Sequence, residues 1–130
     1  MPRKNPSHPT DAQLVILSLL WELGPATVRQ VHEGLPPEQR RGYTTTLKLM
    51  QIMAEQGLVV RDESNRSHVY TAAVGEQETK THLVDELLEK AFGGSAAELV
   101  LRALSDRPAS AEELAEIRDM LDRIEKGGQS

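Results

Sequence analysis

The segment from Arg40 to Val74 constrains the fold of this chain more than any other stretch. Between Tyr43 and Gln56 the apolar residues recur at helical spacing. Gly57 then stands where a residue of left-handed conformation would end a helix. Two segments rich in Val and Thr, LVVRDE and HVYTAAV, flank a polar turn at residues 64–67 and predict a β-hairpin. The segment is therefore predicted to form a helix followed directly by a hairpin.

Two further helices are predicted ahead of this segment. The first begins at Thr10 or Asp11 and ends at the helix-breaking pair Gly24-Pro25. Its apolar residues cover more than one face, as in a buried helix. The second, VRQVHEGL, follows Thr27, which can form a capping box with Gln30. A polar connection then leads into the helix of the hairpin segment.

A short helix joined by a polar connection to a longer helix indicates a helix-turn-helix. The hairpin that follows them indicates a wing. We therefore predict a mainly α fold with a small β-hairpin: a winged helix-turn-helix domain over residues 10–75. The longer helix would be the recognition helix, and Thr44 or Thr45 could cap it. Residues 1–9 contain three prolines among polar and basic residues and are predicted to form a mobile arm.

Residues 76–126 are predicted to form three amphipathic helices with short loops. Ser95 with Glu98, and Ser110 with Glu113, have the spacing of capping boxes for the second and third of them. A segment of this size buries its apolar stripes poorly alone, and a second copy of the chain is the simplest partner. We predict a homodimer through this region, with a disordered tail at residues 127–130. The predicted dimerisation residues are Leu83, Leu87, Leu88, Leu99, Leu101, Leu104, Leu114, Ile117 and Leu121.

Charge is distributed unevenly along the chain, whose net charge is −5. Residues 1–74 carry eight Lys/Arg against seven Asp/Glu, whereas residues 75–130 carry seven against thirteen. The acidic second part would repel a phosphate backbone, so any DNA-binding surface must lie in the first part.

The sequence contains no cysteine, which excludes disulfides, thiolate metal sites and a cysteine nucleophile. The four histidines lack the spacing of zinc-hydrolase motifs. His82 with Glu78 or Glu86 could hold a metal, but two ligands on one helix make a weak site. We predict no enzymatic activity, no metal and no cofactor. The first residues lack the apolar segment of a signal peptide, and the run Leu14–Trp21 is too short to span a bilayer, so we expect a cytoplasmic protein without membrane insertion.

Double-stranded DNA is the predicted partner of the recognition helix and the wing. Residues near the N-terminus of such a helix reach base edges in the major groove, where Thr, Lys and Gln can all make contacts. Arginines at the wing, before the recognition helix (Arg40 and Arg41) and in the preceding helix would contact phosphates. The alternative for each is a cap or an ordinary solvated side chain. The predicted DNA-binding residues are Arg29, Arg41, Tyr43, Thr44, Thr45, Lys48, Gln51, Arg66 and His68.

Nearly the whole chain resembles the penicillinase-repressor family of bacterial winged-helix regulators (BlaI, MecI and CopY). The segments that carry this resemblance are PTDAQLVILSLLWELGPATVRQVHEGL, YTTTLKLMQIMAEQGLV, SHVYTAAV and GGSAAELVLRALSDRPASAEELAEIRDML. The resemblance implies a homodimeric repressor on an inverted-repeat operator, of the kind that controls β-lactam resistance or copper homeostasis. Copper-responsive members carry a C-terminal cysteine motif, which this chain lacks.

In the β-lactam branch of this family, a membrane sensor protease triggers cleavage within the helix that corresponds here to LVLRAL. Arg102-Ala103 stand where well-known members have Asn-Phe, and they are the candidate cleavage position. Cutting there would convert binding at two half-sites into weak binding at one.

Two other functions remain open from the sequence. One is a regulator whose small ligand binds between the DNA-binding domain and the dimerisation helices, although four aromatic residues are few for such a pocket. The other is a winged-helix module that binds protein and not DNA.

Overall fold

The computed structural model describes residues 8–127. Most of the predicted arm (residues 1–7) and of the predicted tail (residues 128–130) lies outside this range. The chain divides into two compact units, of which the first ends at Glu86 and the second begins at Leu87. None of the helices in the described range is long and apolar enough to cross a membrane.

The first unit contains three helices, three short strands and the first part of a fourth helix. A single 3-10 turn, Pro37–Gln39, lies in the connection between the second and third helices. The elements are α1 (Asp11–Leu23), β1 (Ala26–Thr27), α2 (Val28–Gly34), α3 (Tyr43–Glu55), β2 (Val59–Asp62), β3 (Val69–Ala72) and α4 (Glu76–Ala91). The predicted mainly α architecture with a hairpin after the third helix is confirmed.

The first two helices begin with the same local device. Thr10 caps α1, accepting from the Gln13 amide at 3.2 Å while the Gln13 side chain accepts from the Thr10 amide at 3.0 Å. Thr27 and Gln30 form the equivalent box at α2, with distances of 3.2 and 2.9 Å. These reciprocal bonds satisfy amides that have no partner inside the helix. The predicted box at Thr27 is confirmed.

The start of α3 differs from the prediction, because its N-cap residue is Gly42 and no side chain caps this end. An N-cap residue needs a non-helical backbone, whereas Thr45 and Thr46 already donate their amides to the Gly42 carbonyl, at 3.0 and 3.3 Å. The backbone is therefore helical from Tyr43 onward. The prediction that Thr44 or Thr45 caps the helix is wrong, and both lie in its first turn with exposed side chains.

The end of α3 is the predicted glycine stop. Gly57 has a φ of +83°, a conformation that costs glycine little. The amide of Leu58 donates to the Met53 carbonyl at 2.9 Å, and the Gly57 amide donates to the Ala54 carbonyl at 3.2 Å. This pair of bonds is the Schellman motif, and it turns the chain directly into β2.

The strands form an antiparallel sheet in the order β1-β3-β2. β2 and β3 are the predicted hairpin, with Val59 opposite Ala72 and Asp62 opposite Val69. β1 was not predicted. It pairs with the other edge of β3, placing Ala26 opposite Tyr70. The wing is thereby joined to the residues that lead into α2.

Buried side chains from all three helices and the sheet form one core. Its buried members are Ile16, Leu17, Leu20, Ala26, Val28, Val31, Leu35, Met50, Met53, Leu58, Val59 and Tyr70. Two polar contacts close its edges. The side-chain Nε2 of Gln13 donates to Gln56 Oε1 at 2.9 Å, and Trp21 Nε1 donates to the Val74 carbonyl at 3.0 Å. This core fixes α2, α3 and the wing around one centre.

The second unit contains the end of α4, α5 (Ala96–Asp106) and α6 (Ala111–Gly127). Ser95 caps α5 by accepting from the Glu98 amide at 3.1 Å, but only this half of the predicted box forms, because the Glu98 side chain does not return a bond to Ser95. Ser110 and Glu113 form the complete predicted box at α6. Between residues 87 and 127 no side chain is buried within the single chain. The apolar faces of these helices are therefore only partly covered in the single chain.

Candidate nucleic-acid interface

The first turn of α2, the outer face of α3 and the wing line a groove of about 390 Å³. Elements far apart in sequence reach it because the core packs α2 against α3 and β1 joins the wing to the start of α2. The groove brings together five of the nine predicted DNA-binding residues, namely Arg29, Tyr43, Gln51, Arg66 and His68. All five side chains are exposed.

Tyr43, the first residue of α3, is contacted from two sides by residues of α2. The guanidinium carbon of Arg29 lies 5.2 Å from the centre of the Tyr43 ring, a cation–π contact. The ring of His32 meets the Tyr43 ring edge-on, with 5.6 Å between centroids and 77° between planes. The two ends of α2 thus fix the aromatic ring at the start of the recognition helix.

His32 also joins the two helices through a hydrogen bond, with its Nδ1 2.8 Å from the hydroxyl oxygen of Thr46. Thr46 is buried, with 3% of its surface exposed. Neither residue was among the predicted DNA-binding residues. The available signal was spacing, because His32 follows the core residue Val28 by four positions and so lies on the same side of α2.

The other four predicted residues are also exposed but lie outside this groove. Arg41 and Thr45 line a separate, largely apolar cleft of about 810 Å³ between α1 and α3. Thr44 and Lys48 line neither cleft. The structure therefore divides the predicted set into a cluster at the groove and a second group along the start of α3.

Two arginines near the interface are held by the protein itself. Arg40 Nη2 donates to the carbonyls of Glu33 and Leu35, at 3.0 and 2.9 Å, and so caps the C-terminal end of α2. We expected Arg40 to contact DNA, but its fork is directed at main-chain carbonyls. Arg61 Nε lies 2.7 Å from Glu63 Oε2. A hydrogen bond with Tyr70 and the charge of Glu63 raise the pKa of the Arg61 guanidinium.

The hairpin turn is stabilised by Asp62 and Ser64. The amide and the hydroxyl of Ser64 both donate to Asp62 Oδ1, at 2.9 and 2.7 Å. These two bonds lower the pKa of the Asp62 carboxyl, because they favour its charged form. The turn carries Arg66 and Ser67 to the rim of the groove.

The sequence matches the penicillinase repressor family over residues 9–123. The chain belongs to this family. The transcriptional regulator BlaI of Mycobacterium tuberculosis (strain CDC 1551 / Oshkosh) is 30% identical to it over 118 residues, covering 90% of this chain and 85% of that protein. The penicillinase repressor of Staphylococcus aureus is 20% identical over 115 residues, covering 88% of this chain and 91% of that protein.

The fold of this penicillinase repressor family member is similar to a solved structure, the solution structure of the DNA binding domain of the repressor BlaI. The TM-score is 0.50 at 19% identity, covering 58% of this chain and 92% of that domain. The predicted family and the predicted winged-helix fold are confirmed. The protein is a transcriptional regulator of the penicillinase repressor family with a winged-helix DNA-binding domain.

Proposed function

We propose that this protein is a homodimeric transcriptional repressor that binds an inverted-repeat DNA operator in the manner of antibiotic-resistance regulators. The observation that carries the proposal is the groove between α2, α3 and the wing. It collects Arg29, Arg66 and His68 around Tyr43 and Gln51 in the first unit. A positive, exposed groove beside the N-terminal half of a recognition helix is suited to a DNA backbone and an adjacent major groove.

The predicted DNA-binding residues would have two different tasks, contact with base edges and contact with phosphates. Tyr43, Thr44, Lys48 and Gln51 are exposed along the N-terminal part of α3, the part of such a helix that meets base edges. Arg29, Arg41 and Arg66 would bind phosphates, as would His68 when protonated, and so set affinity and its salt dependence. Thr45 would contact a phosphate or a thymine methyl group.

Dimerisation would use the partly covered apolar faces of the C-terminal helices. Leu101 is 69% exposed, and Leu121 is 55% exposed, in a single chain. Leaving such side chains in water loses the free energy of burial, and a second copy would supply a matching face by two-fold symmetry. The predicted dimerisation residues in α4, α5 and α6 remain the residues that we propose for this contact.

Relief of repression would follow from cleavage in α5 by a membrane-bound sensor protease. Arg102 and Ala103 are exposed on that helix. After cleavage, each DNA-binding domain would have to bind its half-site independently. Losing the link between the two domains weakens binding to the operator by about 10²–10⁴-fold.

Fluorescence anisotropy with the protein's own upstream DNA tests the repressor function, with an unrelated duplex of equal length and a salt series. We expect preference for the upstream DNA by about a thousandfold or more, a steep decrease with salt, and loss of binding in the Lys48→Ala/Arg66→Ala double variant. Equal, weak binding to both duplexes would overturn the proposal and favour a module that binds protein.

Sedimentation equilibrium tests the dimer. The Leu101→Glu/Leu121→Glu variant is expected to be monomeric at concentrations where the parent is dimeric. Leu23→Glu is the matched control, because Leu23 is 50% exposed but lies on α1, outside the proposed contact. A dimeric double variant would exclude this face as the interface.

A further inference from the structure

We propose that His32 is a positioning residue for DNA binding, which is held by Thr46, acts through Tyr43 and does not itself contact DNA. The inference rests on the proposed function and adds to it a residue outside the predicted DNA-contacting set. It concerns the last turn of α2 and the first turn of α3.

The His32 side chain connects one buried group and one exposed group. Its Nδ1 lies 2.8 Å from the hydroxyl oxygen of Thr46, which is 3% exposed and lies on the buried face of α3. Its ring also meets the Tyr43 ring in a T-shaped contact, with 5.6 Å between the centroids, and Tyr43 is 40% exposed. Because the hydrogen bond fixes the imidazole plane, it also fixes the surface against which the Tyr43 ring rests.

Tyr43 in turn orients a cation. Arg29 lies over the face of its ring at 5.2 Å, and none of the ion pairs found between residues 8 and 127 gives Arg29 a carboxylate partner. A guanidinium held over an aromatic face keeps its N–H groups directed outward, where they can meet a phosphate. Thr46 therefore orients His32, His32 orients Tyr43, and Tyr43 orients Arg29.

This arrangement lowers the cost of binding. An exposed tyrosine and an exposed arginine without fixed neighbours would lose side-chain entropy when DNA orders them. Here both side chains already have contacting neighbours in the absence of DNA. Without the hydrogen bond, the ring of His32 can rotate, and we expect the Tyr43–Arg29 pair to sample other positions.

A matched pair of variants at Thr46 separates positioning from stability. Thr46→Val keeps the buried shape and removes the hydroxyl, whereas Thr46→Ser keeps the hydroxyl and removes a buried methyl group. If Thr46 only supported the fold, binding measured well below both Tm values, where all three proteins are folded, would equal that of the parent. Positioning through His32 predicts that under these conditions Thr46→Val binds the upstream DNA about fivefold to tenfold more weakly than the parent, whereas Thr46→Ser retains most of the affinity.

Two further measurements complete the test. His32→Ala is expected to weaken binding by a similar factor, and to have no further effect in a Tyr43→Ala background, because His32 acts through that ring. In the free protein, the NMR signals of the Tyr43 ring are expected to shift in Thr46→Val and to return toward the parent positions in Thr46→Ser.

The outcomes distinguish this inference from the proposed function. If the parent prefers its upstream DNA, and Thr46→Val and His32→Ala bind that DNA as well as the parent does, the positioning role is overturned and the repressor function stands. Unchanged Tyr43 ring signals in Thr46→Val overturn it without reference to DNA. A parent with no preference for its upstream DNA overturns both.

Discussion

Trp21 Nε1 donates a hydrogen bond to the main-chain carbonyl of Val74 over 3.0 Å. The bond joins the last turn of α1 to the segment that leaves the wing, across 53 residues of sequence. It gives a half-buried carbonyl at the edge of the core a partner, and it fixes the exit of β3 against the first helix.

Replacing Trp21 with phenylalanine removes this donor and part of the ring that packs on the core. We expect the free energy of unfolding to fall by about 1–3 kcal/mol, measured by urea unfolding. Leu23→Ala, at a half-exposed position on the same helix, is the control and is expected to change stability by less than about 0.5 kcal/mol. Equal losses in the two variants would show that the indole contributes nothing specific.

The φ of +83° at Gly57 predicts a strong dependence on residue type. Gly57→Ala is expected to destabilise the first unit by about 1–2 kcal/mol, because an L side chain is strained in this conformation. Gly57→Asn is the matched control with a smaller loss, since asparagine tolerates it better. Thermal unfolding measures both. The prediction fails if alanine is tolerated as well as asparagine.

Arg40 and Arg41 are adjacent in sequence but are expected to behave differently. Arg40→Ala removes the donor to two carbonyls at the end of α2, so the free energy of unfolding should fall by about 1 kcal/mol. Arg41→Ala should leave stability unchanged and reduce the salt dependence of DNA binding by about one unit in the slope of log K against log salt. Urea unfolding and an anisotropy salt series distinguish the two. A loss of stability in Arg41→Ala, with none in Arg40→Ala, would contradict the structure.

The Asp62 carboxyl has a lowered pKa because Ser64 donates two hydrogen bonds to it. A group whose pKa is lower in the folded state stabilises the fold above its unfolded pKa, and this contribution is lost as the pH falls through the folded pKa. Ser64→Ala should therefore raise the pKa of Asp62 toward its usual range and shift the acid-sensitive loss of stability to higher pH. NMR titration of the Asp62 carboxyl carbon measures the shift. An unchanged pKa would mean that the hydroxyl bond is absent in solution.

The features predicted correctly from the sequence are those with local causes. Thr27 and Gln30 are three residues apart, so their capping box is visible in the sequence itself. Gly57 is recognisable because it directly follows an apolar helical stripe. The hairpin is recognisable because two segments rich in Val and Thr flank the polar turn at residues 64–67.

The features missed depend on distant parts of the chain. β1 has only two residues, too few for a pattern, and its partner Tyr70 lies far along the sequence. The wrong cap at Thr44 or Thr45 followed from residue preference alone, whereas the connection from α2 places Gly42 at the start of the helix. Arg40 was expected to contact DNA because nothing in the sequence indicates that its side chain bonds to a carbonyl at the end of α2.

Thr27 occupies two positions at once, as the residue opposite Val69 in the sheet and as the cap of α2. A displacement of β3 therefore displaces the first turn of α2, and with it Arg29. We therefore expect the wing and the helix that precedes the recognition helix to move together. The surface proposed to bind DNA would then be preorganised, so we expect little backbone entropy to be lost on binding and little change of shape between the free and bound domains.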